Sequence, residues 1–82
     1  MKTETANATI TALLNTTVEE LKSATNNAEE ALQAITSVEN PTNARNQAIG
    51  TMCSMDEMLE NAESLVKAIR AIHRSARQSE GL

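Results

Sequence analysis

Apolar residues recur along this chain in alternating steps of four and three. Between Ser54 and Arg77 they fall at Met55, Leu59, Ala62, Val66, Ile69 and Ala76, with His73 in the one remaining place. That spacing is a heptad seam, the pattern of a helix that lies lengthwise against another. Extended towards the N-terminus, the same seam takes in Ala48 and Met52. An earlier stretch repeats the pattern at Val18, Leu21, Thr25, Ala28, Leu32 and Ile35, widened by Ala24, Ala31 and Val38. Its opposite face is polar, with Glu19, Lys22, Asn26, Glu29, Glu30 and Gln33.

The breaks between these seams set the element boundaries. Asn40-Pro41 is the one strong interruption. Asparagine caps helix N-termini, proline is tolerated in the first turn, and proline drives its predecessor out of helical geometry. One helix should therefore end near Glu39 and the next begin at Pro41. So short a connection makes the two helices antiparallel neighbours. Thr16-x-x-Glu19 and Thr17-x-x-Glu20 both match a capping box, so the first long helix is predicted over 16–39. Residues 1–15, rich in Thr, Asn and Ala, are predicted to form a short or frayed helical segment carrying Ile10, Leu13 and Leu14. The second long helix is predicted over 41–79. Gly50 and a further capping-box match, Ser54-x-x-Glu57, place a kink or weak turn at 50–54. The fold class is thus all-α: a single domain, an antiparallel helical hairpin.

Composition reinforces this reading. The 82 residues include no Phe, Tyr or Trp, so any core must be built from Leu, Ile, Val, Met and Ala. A chain this short buries little surface alone, which makes self-association an expectation. Small helical hairpins built on a Trp-x-Gly turn are excluded by the absence of Trp. The segment Asn27–Ile35 faintly echoes Asn61–Ile69, with five of nine positions identical. Two alanine-rich helices of like phase explain that without duplication.

Net charge is −4, but it is unevenly spread. Up to residue 66 the chain carries three cations against ten acids; from residue 67 it carries Lys67, Arg70, Arg74 and Arg77 against Glu80. Beside the second seam runs a stripe of Asp56, Glu60, Glu63, Lys67, Arg70, Arg74 and Arg77, whose sign switches once. Cations near a helix C-terminus match the helix dipole. The stripe also reads as an assembly code: two copies of the helix set antiparallel about Lys67 would face Asp56 with Arg77, Glu60 with Arg74, and Glu63 with Arg70. The sequence therefore predicts an antiparallel homodimer, a four-helix bundle. Net acidity argues against nucleic-acid binding. The longest uninterrupted apolar runs are two or three residues, too short to span a membrane. The first residues, MKTETANATITALL, lack the apolar core of a signal peptide.

Candidate chemistry is sparse. Cys53 and His73 sit 20 residues apart on one predicted helix, about 30 Å at 1.5 Å per residue, too far for a nucleophile and its base. One His and one Cys cannot make a structural zinc site. A lone cysteine fits a cytoplasmic protein without a disulfide framework. Catalytic residues, cofactors and metals are therefore not predicted.

Two surfaces remain. Met52, Met55 and Met58 form an adaptable thioether patch that either fills the core of an aromatic-free protein or offers a groove to a partner protein. Arg45, Arg70, His73, Arg74 and Arg77 could hold a small anionic ligand, such as a nucleotide signal, between subunits. The expected function is a small regulatory or inhibitory protein acting by protein–protein interaction. A phage or mobile-element antagonist of a host system fits the size and acidity; a small secretion chaperone would look alike. The competing expectation is an oligomeric sponge for the anionic ligand.

Overall fold

The computed structural model describes residues 2–36 and 40–81. Two helices, α1 (Thr3–Ile35) and α2 (Pro41–Glu80), pack side by side as an antiparallel hairpin. There is no strand among the described residues. The hairpin is a thin rod of 65 × 14 × 12 Å.

The start of α2 follows from Asn40-Pro41. Asn40 is extended, its Oδ1 accepts from the Asn43 N–H at 3.1 Å, and Pro41 occupies the first turn. α1, however, starts at Thr3 rather than near residue 16. Residues 3–15 are the first turns of one continuous helix, not a separate segment. The Thr16 and Thr17 hydroxyls do not cap. They donate back to the carbonyls of Ala12 at 3.2 Å and Leu13 at 2.7 Å, as do Thr9, Thr11, Thr25 and Thr51 to the carbonyl four residues earlier. A threonine that satisfies its hydroxyl in this way sits comfortably within a helix. α2 likewise passes through Gly50 and Ser54 without interruption and reaches Glu80. Val38 and the expected helix end near Glu39 lie outside the described residues.

The contact between the helices is made by two continuous heptad rows. On α1 these are Ala6, Ile10, Leu13, Thr17, Glu20, Ala24, Asn27, Ala31 and Ala34; on α2 they are Ala44, Ala48, Thr51, Met55, Met58, Ala62, Leu65, Ile69, Ile72 and Ala76. Every described residue outside these rows is exposed, Ser23 excepted. The fully buried positions are alanines and Thr17. Small side chains let two helix backbones approach closely. The larger members of the rows are only half-buried, and no large side chain among the described residues is fully enclosed.

This differs from the seam expected from the sequence. On α1 the row Val18, Leu21, Thr25, Ala28, Leu32, Ile35 is exposed throughout. On α2 Ala48, Met55, Ala62, Ile69 and Ala76 face α1, but Met52, Leu59 and Val66 do not; Met58, Leu65 and Ile72 take the alternate places. Each helix carries two heptad rows one residue apart, and the row of smaller residues is the one that lets the helices close on each other.

Candidate interaction surface

The rows left outside define one surface. On α1 each exposed large apolar residue follows a contact residue by one place: Leu14 after Leu13, Val18 after Thr17, Leu21 after Glu20, Leu32 after Ala31, Ile35 after Ala34. On α2 the same holds for Ile49, Met52, Leu59 and Val66, which follow Ala48, Thr51, Met58 and Leu65. One residue is a rotation of about 100° in a fixed sense about the helix axis. In antiparallel helices, equal rotations away from the shared contact carry both rows to the same side. The nine residues therefore form one largely apolar face, each between 36% and 64% exposed, which Asp56 and Glu63 interrupt on the α2 row.

The face has a definite extent. Asn27 Nδ2 donates to Met58 Sδ across the contact at 3.4 Å, which sets those residues level. At the open end Lys2 and Thr3 meet Ser79 and Glu80. Between these marks, Ile35 lies level with Ile49, Leu32 with Met52, Val18 with Val66, Leu21 with Glu63, and Leu14 with Arg70. The apolar face thus covers the half of the rod nearer the turn. Beyond Val66 the same rows turn polar, with Asn7 and Thr11 on α1 and Arg70, His73 and Arg77 on α2, all exposed. A shallow groove on α1, lined by Val18, Leu21, Lys22, Thr25 and Asn26, lies on the apolar half.

The residues singled out from the sequence distribute as follows. Met52 is exposed on the apolar face, whereas Met55 and Met58 are half-buried against α1; the three do not form one patch. Asp56, Glu60, Glu63, Lys67, Arg70, Arg74 and Arg77 are all exposed along α2. Glu63 and Lys67 pair with each other at 3.4 Å, both well exposed. Among the described residues no carboxylate lies within ion-pair distance of Arg70, Arg74 or Arg77. His73 lies on the exposed row, not in the contact between helices. Arg45 is near the turn, 25 residues from Arg70 along α2, about 37 Å by helical rise; within one chain it does not join the other arginines. Cys53 is a free, exposed thiol. No cluster of His, Cys, Asp or Glu suited to a metal occurs among the described residues. No described helix is long and apolar enough to cross a membrane.

Sequence reasoning treated Val18, Leu21, Leu32 and Ile35 as core and so missed them as a surface. The usable signal was the doubled heptad row, Ala24 and Ala31 running one residue behind Thr25 and Leu32. No family model, curated protein or solved structure matches this chain.

Proposed function

We propose that this is a non-enzymatic regulatory or inhibitory protein of the cytoplasm that works through its helix faces. It dimerises through the apolar face into a four-helix bundle and meets a protein partner with the part of the charged stripe that lies off that face, Glu60, Lys67 and Arg74. The observation that carries this reading is the exposure of nine large apolar side chains on one side of a rod that has no fully buried large side chain among the described residues. Burying the remaining half of each contributes about 1 kcal/mol. With two copies contributing, roughly 15–20 kcal/mol stands against an association cost of about 4–15 kcal/mol. The hairpin gains more by pairing than by staying alone. The size, acidity and dispersed chemistry fit a phage or mobile-element antagonist, and a small secretion chaperone equally.

Sedimentation equilibrium between about 1 and 100 μM tests the assembly. The wild-type chain should be dimeric, and Leu21→Glu/Leu59→Glu should be monomeric and still helical. A wild-type monomer at 100 μM sinks the reading. The partner is tested by affinity capture: Lys67→Glu/Arg74→Glu should lose a protein that Cys53→Ser retains, and equal capture by both would remove the stripe from the partner site.

A second reading rests on the unpaired state of the three arginines. Arg70, Arg74 and Arg77, with His73, have no carboxylate of the described residues competing for them, and guanidinium groups bind phosphate well. A small anionic ligand there would raise the melting temperature in a nucleotide and cyclic-dinucleotide screen by mass action. A flat screen would eliminate it.

A further inference from the structure

Building on the self-association proposed above, we infer that the apolar face is covered by a second copy of this chain with its turn at the same end. α1 then lies over the partner's α2, and every adjacent pair of helices runs antiparallel.

Three stackings compete, and what meets what separates them. With the turns at opposite ends and the apolar halves fully overlapped, α2 lies on the partner's α2. Asp56 and Glu60 of each chain then converge on the same level, gathering four carboxylates about the two-fold axis. Like charges placed face to face are unfavourable. With α2 paired about Lys67, the ion pairs Asp56–Arg77, Glu60–Arg74 and Glu63–Arg70 form. That register slides the molecules by half their length, and Leu32, Ile35, Ile49 and Met52 find no partner side chain opposite. It also competes with the Glu63–Lys67 pair already present within the chain.

The same-end stacking avoids both faults. The levels within one hairpin repeat between hairpins, because α1 meets the partner's α2 as it meets its own. Val18 comes level with the partner's Val66, Leu32 with its Met52 and Ile35 with its Ile49, while Leu21 faces its Glu63 and Leu14 its Arg70. All nine exposed apolar residues are then covered. Lys22 comes level with the partner's Glu60, and Glu4 with its Arg77. No level sets like charges together on the facing rows. Geometry agrees, since the contact rows and the exposed rows of each helix are separated by about 100°, close to the right angle between adjacent contacts in a four-helix bundle.

Double electron–electron resonance on full-length Cys53→Ser/Thr42→Cys, spin-labelled at position 42, reads the arrangement. Helix spacing of 8–10 Å and a rise of 1.5 Å per residue put the two labels within about 25 Å for same-end stacking. They lie about 45 Å apart for the opposite-end overlap and about 70 Å for pairing about Lys67. A dimer with the short distance supports the inference, and a dimer with either long distance overturns it while leaving self-association standing. A monomer by sedimentation overturns self-association as well. An independent measurement guards against a label that disturbs the turn. Lys22→Glu should weaken the dimer on the order of tenfold at low salt, and Lys22→Glu/Glu60→Lys should restore it. An unchanged dimer in Lys22→Glu would count against the same-end bundle.

Discussion

At the scale of single residues, the contact between the helices is set by size. Ala24, Ala31, Ala48 and Ala62 are buried in the contact rows, where the larger side chains stay half-buried. Ala62→Leu should therefore destabilise the hairpin by about 1–3 kcal/mol, the usual cost of overpacking, read by thermal or urea unfolding. Gly50 behaves oppositely. It lies within α2, and a Cβ there would meet nothing within 4 Å. Gly50→Ala should raise stability by about 1 kcal/mol through helix propensity alone; a lower melting temperature would mean that the helix needs a break there. Asn40→Ala removes the bond to the Asn43 N–H and should cost about 1 kcal/mol, as N-cap losses do. The capping residue of α2 was legible because Asn followed by Pro has one local meaning. Thr16 and Thr17 were not, because a threonine hydroxyl serves a cap and a back-bond to the preceding turn equally well.

At the scale of elements, the hairpin itself was readable: heptad spacing gave the helices and the Asn40-Pro41 break gave their antiparallel order. The face of each helix that turns inward was not. Hydrophobicity ranks Leu21 and Leu59 above Ala24 and Ala62, and a reading by hydrophobicity puts the larger residues inside. Backbone proximity reverses that ranking wherever two rows compete on one helix. The error has a use, since the row wrongly taken as core is the surface now proposed to bind. Leu21→Glu/Leu59→Glu places four carboxylates in the proposed dimer and should raise its dissociation constant at least a hundredfold. Far-UV circular dichroism should show the helices intact, because both residues lie outside the contact rows with nearly half of each side chain exposed. The charged stripe was legible as a list of residues. Its relation to the apolar rows became clear only once the inward face was fixed.

At the scale of the whole molecule, folding and assembly should be coupled. A single hairpin encloses no large side chain among the described residues, so its stability alone should be small and the proposed pairing would supply much of the apolar burial. The melting temperature should then climb with protein concentration, as mass action requires when only the folded form associates. A melting temperature constant between 1 and 100 μM would show that the lone hairpin suffices. The polarity of the rod also follows from its two halves: the turn half is apolar on one side, and the open half carries Arg70, His73, Arg74 and Arg77 in solvent.

The shape of the rod has a hydrodynamic consequence. Its length is roughly five times its breadth, so it meets more friction than a sphere of equal mass and should elute ahead of its true size. A second copy laid alongside with its turn at the same end thickens the rod without lengthening it. Mass doubles while the body becomes rounder, and the sedimentation coefficient should grow faster than it does for spheres of constant density. A copy slid along by half its length makes a longer needle, whose coefficient grows more slowly. Sedimentation velocity on the unmodified chain can therefore separate the two assemblies by drag alone.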